Sequence, residues 1–223
     1  MKTNPFKLLL PFLAVSMVFT LNSFRPGDKE EKSIGSVAEA EDSLVGKSKN
    51  YLQLQGQVRL SKGDVKAGNP VLDSAEVSVR NEKGALVLYG ITDHKGRLAF
   101  RLPLNRQFMI HFTRKGFVEK KILIDTKVPA GTQKAFDYTF DVDIFPKVKN
   151  LDVAVLNNPI AKVNYRAYTK EFTYDATYTN KINSELNKMY REYYAIEKTE
   201  ADSLNRSRAK SRSGVPASAP RKN

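Results

Sequence analysis

The chain of 223 residues contains no cysteine. That excludes disulfides, a thiolate nucleophile, a cysteine-rich zinc site and a lipid carried on an N-terminal cysteine. Histidine is nearly as scarce. His94 and His111 are the only two, and no His-Glu-x-x-His spacing occurs, which leaves little for transition-metal chemistry. Long apolar runs are also missing. "LLLPFLAVSMVFTL", Leu8 to Leu21, falls short of the ~20 residues of a spanning helix and is interrupted by Pro11. Lys2 and Lys7 precede it and polar residues follow from Asn22, the pattern of a secretory signal. Small residues at the cleavage positions are poorly met, by Val18/Thr20 or Leu21/Ser23. Residues 1–24 are therefore read as a signal peptide or an uncleaved N-terminal anchor, and either expectation is of an exported protein.

Charge of one sign is what the chain has in excess. The net charge is +13, with a sequence pI near 9.7, which invites a nucleic-acid reading. Its location argues against that. Arg206 to Asn223 carries six Lys/Arg and no acid, while the middle mixes both signs. Aromatic residues there alternate along strands instead of forming a platform for bases. The expected contact of the basic tail, residues 206–223, is an anionic surface or a glycan, and not nucleic acid.

Residues 25–50, "RPGDKEEKSIGSVAEAEDSLVGKSKN", are polar and weakly periodic, as in a linker. Gly46-Lys47-Ser48 looks like the end of a phosphate loop, but Glu41 stands where that motif needs glycine. From Tyr51 the period becomes two. Leu52, Leu54, Val58 and Leu60 alternate with Gln53, Gln55, Gln57 and Arg59. Ala75, Val77 and Val79 follow, then the turn Asn81–Gly84 and "ALVLYGI". A second turn, Asp93–Gly96, leads to Leu98, Phe100 and Leu102. Phe108, Ile110 and Phe112 come next, then Val118 to Ile124, and last Phe136, Tyr138, Phe140, Val142 and Ile144. About seven short strands with turn signals between them predict an antiparallel β-sandwich over residues 51–145.

Residues 146–205 read as an extension. "LDVAVL" and "IAKVNY" suggest two more strands around Asn157–Pro159, and a helix follows with Asp175 as N-cap. Ile182, Leu186, Met189, Tyr193 and Ile196 form one apolar stripe, with Lys188 and Glu192 spaced to pair on the other side. Such a stripe must be buried on its own sandwich or on a partner. Ile182, Leu186, Met189, Tyr190 and Tyr193 are the candidate interaction face. The fold class is thus mainly β, a seven-stranded sandwich with one long amphipathic helix in a C-terminal extension.

The segments "LQGQVRL", "GNPVLDSAEVSV", "GITDHKGRLAFRLP" and "FMIHFTRKGFVEKKILID" occur in the order that marks the carboxypeptidase regulatory-like, transthyretin-like domain. The chain resembles that family over about residues 51–125. Gly56, Pro70, Ala75, Val77, Thr92, Asp93, Gly96, Gly116 and Phe117 stand at its pattern positions. Ser74 replaces a usual glycine and Leu98 a usual aromatic. The resemblance implies a prealbumin-type sandwich, generally non-catalytic, in an accessory or envelope protein of Gram-negative type.

The remaining chemistry-bearing residues are weighed in that light. Asp93 and Gly96 are turn residues, Asp93 accepting backbone N–H bonds and Gly96 supplying positive φ, with His94 and Lys95 at the tip. His111 falls out of phase with the apolar residues around it and is expected to be exposed. Asp137, Asp141 and Asp143 share a strand face, with no dense Asp/Asn loop of a calcium site. Tyr165, Tyr168, Tyr174, Tyr178, Tyr190, Tyr193 and Tyr194 cluster late in the chain, either docking the helix or forming a sugar or protein contact. Asp-Ser-apolar triplets begin at Asp42, Asp73 and Asp202 and look like acceptors for O-linked glycans. No catalytic, cofactor or metal site is expected. The expected function is a non-enzymatic envelope protein that binds an envelope partner, with a carbohydrate- or peptidoglycan-binding module as the alternative and a hydrolase behind both.

Overall fold

The computed structural model describes residues 49–61 and 69–213. The signal or anchor, most of the linker, Gly46-Lys47-Ser48, the triplet at Asp42 and residues 214–223 lie outside the described residues. Nine strands and one long helix are present among those described. Strand β1 is Tyr51–Leu60, β2 Glu76–Asn81, β3 Leu86–Ile91, β4 Arg97–Pro103, β5 Gln107–Thr113, β6 Lys120–Asp125 and β7 Phe136–Ile144. A 3-10 turn at Ala154–Asn157 precedes β8, Ala161–Arg166, and β9, Glu171–Tyr174; helix α1 spans Ala176–Ser213.

The strands form a three-stranded sheet, β4-β1-β7, and a six-stranded sheet, β3-β2-β5-β6-β8-β9. Their apolar faces meet in one core. Leu52, Leu54, Val58, Phe100, Leu102 and Val142 come from the small sheet; Val77, Val79, Phe108, Ile110, Phe112, Ile122 and Ile124 come from the large one. The alternation of the sequence is what buries them, since successive side chains of a strand point to opposite faces.

Three features differ from the expectation. The sandwich is not purely antiparallel, because β1 pairs parallel with β7 and β6 pairs parallel with β8. Alternation determines which face of a strand is buried, and it carries no information on the direction of the neighbour. Seven strands lie within residues 51–145 and "IAKVNY" forms β8 as expected, but β8 and the unforeseen β9 continue the large sheet, making nine strands in all among the described residues. "LDVAVL" contains no strand. The Asp152 carboxylate accepts from the Ala154 N–H (2.9 Å), starting a helical turn that buries Leu156.

Helix α1 begins where its cap predicts. The Asp175 carboxylate accepts from the Tyr178 N–H at 3.0 Å, satisfying one of the donors that every helix start leaves open. The helix continues past Arg206, into the span read from the sequence as a basic tail, and ends at Ser213.

Two glycines sit where a Cβ would collide with its surroundings. A Cβ on Gly56 would lie 2.6 Å from the ring of Phe140, and that ring meets Phe112 edge-on at 5.8 Å. Gly96 has φ +68, and a Cβ there would lie 2.5 Å from the Val58 carbonyl oxygen. Gly84 has φ +76 with open space around it. Gly96→Ala is therefore expected to lower the unfolding free energy by more than about 2 kcal/mol, adding a backbone clash to the left-handed penalty, and Gly84→Ala by only about 1 kcal/mol. Urea titrations of both variants check this; equal losses would remove the steric account of Gly96.

Candidate functional site

The turn after β3 is held by its acid. One oxygen of Asp93 accepts from the N–H groups of Lys95 (2.9 Å) and Arg97 (2.8 Å). The other accepts from Nε and Nη2 of Arg97 at 3.1 and 3.0 Å. These bonds, led by the Arg97 N–H, hold the Asp93 carboxyl below its ordinary range. Beside it the buried Thr92 hydroxyl accepts from the Ala75 N–H and donates to the Leu72 carbonyl, both at 2.9 Å. The Thr92 hydroxyl and one Asp93 oxygen are thus spent on fixing the backbone. His94 and Lys95 are exposed at its tip.

The turn forms one wall of a shallow groove of about 530 Å³ on the outward face of the small sheet, lined by Gln55, Gln57, Asp93, Arg97, Thr139 and Asp141 among others. Strand register orders the groove in rows across the three strands. Ala99, Gln55 and Thr139 are aligned neighbours on β4, β1 and β7, and so are Arg97, Gln57 and Asp141. A third row reads Arg101, Gln53, Asp137. Short side chains at Ala99 and Thr139 thus lie between two rows that each run from arginine through glutamine to aspartate.

The upper row is a connected network. Gln57 donates to the Lys95 carbonyl at 2.8 Å and accepts from Arg59 Nε at 3.0 Å, and Arg59 pairs with Asp141 at 2.8 Å. By contrast, the Gln55 amide and the Thr139 hydroxyl are exposed and bond no other described residue. The floor therefore offers unspent donors and acceptors between fixed charges. Such a set can hydrogen-bond a polar ligand or a peptide backbone. It contains no base held beside a nucleophile, the arrangement that covalent catalysis uses.

A second constellation lies under α1. Ile182, Leu186, Met189 and Tyr193 are buried against Val118, Phe145 and Leu156, with Tyr190 and Tyr194 partly buried beside them. Four residues of the candidate interaction face, Ile182, Leu186, Met189 and Tyr193, are thus buried against this chain's own sandwich, and Tyr190 is half-buried. The physical reason is the aromatic site at the end of β7. Phe145 is fully buried, 4.7 Å from the ring of Tyr193 and 5.5 Å from that of Tyr190.

Into this interface projects Lys120, 3% exposed. Its ammonium donates to the Asp143 carbonyl and to the Tyr190 hydroxyl and lies 5.7 and 5.1 Å from the ring centres of Phe145 and Tyr190. Desolvation pushes the Lys120 pKa down to about 8, against the opposing pull of the Asp143 carboxylate. Desolvation likewise raises Tyr190 and Tyr193. The Tyr194 hydroxyl meets Ser61 Oγ at 3.1 Å, and Tyr193 donates to Glu197 at 2.7 Å. Sequence reasoning missed Lys120. The signal was its phase, since it falls in step with Val118, Ile122 and Ile124 on the core side.

The other candidates are dispersed. His111 is half-buried and its Nδ1 meets the Glu119 carboxylate, so it is not a free exposed side chain; Glu119 was the missed partner. Asp137 and Asp141 face outward, and Asp143 accepts from Asn69 at 2.8 Å. No group of three or more potential metal ligands occurs among the described residues. Tyr165 stands edge-on to Phe136 and Phe172 at 5.6 and 5.7 Å, and Tyr178 donates to the Pro159 carbonyl at 2.7 Å. Tyr168 and Tyr174 are exposed. Ser74 lies in an exposed loop with φ 54, and Ser203 lies on α1, donating to the Glu200 carbonyl at 2.8 Å.

The fold and these sites define a mainly β chain of sandwich type with a long C-terminal helix. No protein-family model matches it, and no curated protein matches it in sequence. Among solved structures it is distantly similar to the Bacillus anthracis TIE protein, with TM-score 0.34 and 26% identity over 44% of this chain and 18% of that one. A shaft pilin SpaA mutant of Lactobacillus rhamnosus GG gives 0.34 and 13% over 56% and 58%. S.CueP gives 0.30 and 14% over 44% and 64%. The chain spans less than two thirds of the length of each of these three structures.

The buried lysine makes stability depend on pH with a definite sign. Between about pH 8 and the ordinary lysine range the unfolded chain holds a proton that the folded chain has lost, so stability rises with pH. Above the ordinary tyrosine range the sign reverses, because unfolded tyrosines ionise while Tyr190 and Tyr193 remain protonated in the fold. The wild type is expected to gain about 1 kcal/mol from pH 8 to pH 10, the lysine gain less the onset of the tyrosine loss, and to lose stability beyond. Lys120→Met should abolish the gain; urea titrations across that range measure it, and an unchanged slope in the variant would assign the effect elsewhere.

Proposed function

We propose that this chain is a non-enzymatic, exported envelope protein that works as a structural or protein-interaction module. The observation that carries this is the outward face of the small sheet. Its polar rows form a concave surface whose rim is preorganised by the Asp93–Arg97 and Arg59–Asp141 pairs and whose floor keeps the Gln55 and Thr139 groups unspent. A rim already rigid loses little freedom when a partner docks. The apolar stripe of α1 has the opposite role, completing the fold.

The sandwich is further read as a member of the carboxypeptidase regulatory-like group. Support comes from the order of Gly56, Pro70, Ala75, Val77, Thr92, Asp93, Gly96 and Gly116-Phe117. Gly56, Thr92, Asp93 and Gly96 each have a physical task at these places. A packed ring requires the first, and the β3–β4 turn requires the other three.

A second reading is favoured by the same floor. Amide and hydroxyl groups that both donate and accept suit the hydroxyls of a saccharide, which makes a glycan- or peptidoglycan-binding module the alternative. Crosslinking in intact cells with affinity purification separates the two when the wild type is compared with Gln55→Lys/Thr139→Lys, which fills the groove and leaves the core untouched. One stoichiometric protein recovered by the wild type and lost by the variant is the expected outcome. Saturable retention on purified peptidoglycan, lost in the variant, would replace it with the second reading. Recovery of the same partner by both baits would move the interaction off this face.

A further inference from the structure

The C-terminal 16 residues of α1, from Lys198, continue beyond its docked part. Tyr193 is the final buried residue up to Ala209, and every residue from Lys198 to Ala209 is exposed. At 1.5 Å per residue, the stretch from Lys198 to Ser213 extends the helix by roughly 24 Å. No apolar stripe runs along this part. Its described apolar residues are Ala201, Leu204 and Ala209, with Leu204 59% exposed. A stripe that docks a helix on a sheet or on a second helix is therefore lacking.

What this stretch concentrates is charge of one sign. After Asp202 the sequence has no acid, while Arg206, Arg208, Lys210, Arg212, Arg221 and Lys222 follow. Cations in the final turn complement the helix dipole, an effect that falls off within that turn. Arg206 stands more than a turn before the helix end at Ser213, so the dipole alone does not account for it. The upstream part of α1 is anchored by Phe145 and Lys120, which fixes the direction in which the basic part projects.

We propose that this basic end of α1 is a docking surface for the anionic face of a phospholipid bilayer. Basic residues near an anionic membrane gain attraction additively and lose it within a Debye length of the surface. A rod with its cations grouped at one end can bring them to a flat anionic plane together without deforming the sandwich. Insertion is not part of the proposal, because the stretch lacks the hydrophobic face of an interfacial helix. Nucleic acid is the competing polyanion, but no aromatic residue follows Tyr194, which leaves no platform on which bases could stack. This surface is separate from the groove of the small sheet, and its fate does not depend on what the groove binds.

Co-sedimentation of the full chain with phosphatidylcholine vesicles, with and without phosphatidylglycerol at 30 mol% (roughly a third anionic lipid), tests this. The expected result is at least a tenfold preference for the anionic vesicles. That preference should disappear at high salt and in Arg206→Glu/Arg208→Glu/Lys210→Glu/Arg212→Glu. Replacing Arg206, Arg208 and Arg212 by Lys should preserve it, because charge and not geometry carries the contact. An unchanged urea midpoint confirms that the variant is folded. Equal binding to both vesicle types, a preference that survives charge reversal, or tighter binding to a DNA duplex at matched phosphate would each overturn the proposal.

Discussion

An ammonium group removed from water must find its partners inside the protein, and Lys120 finds them on two elements that are distant in sequence. The Asp143 carbonyl near the end of β7 and the Tyr190 hydroxyl on α1 accept its protons, while the Phe145 and Tyr190 rings supply their electron-rich faces. A buried charge without such partners costs several kcal/mol. The sandwich alone would leave Lys120 short of a partner, and the helix alone would expose its tyrosines. Each half completes the other, which is why α1 lies where it does.

The same division between satisfied interior and available exterior runs through the small sheet. Inside, Gly56 makes room for Phe140 and the core closes over it. Outside, the strands that supply those apolar residues present arginine, glutamine and aspartate in register. The charges at the rim pair with one another, so the face is ordered before anything binds. The short residues between them create the groove. Its concavity is a consequence of side-chain length along one row, with no distortion of the backbone.

Part of this was legible in the chain before any fold was known. Alternation at Leu52–Val58, Val77–Val79, Phe108–Phe112 and Phe136–Ile144 marks buried faces, and the turns at Asn81–Gly84 and Asp93–Gly96 separate strands. Asp175 marks a helix start, and the stripe from Ile182 to Tyr193 marks a surface that water will not keep. Even Lys120 was marked by its phase. A sandwich with a docked or docking helix follows from these residues because burial of a face is a local property of side-chain spacing.

Partners were not legible. That β7 lies parallel to β1, that β8 and β9 extend the large sheet, and that Glu119 meets His111 depends on which strands become neighbours, a choice made by long-range packing. The same is true of the groove, whose residues lie on three strands up to 86 positions apart and share a row only through register. The sequence by itself determined which side chains must leave water and where the chain turns, because those are set by residue spacing and local backbone preference. Tertiary structure alone decided that the helical stripe is covered by its own sandwich, since only the assembled core places Phe145, Val118 and Lys120 beneath it.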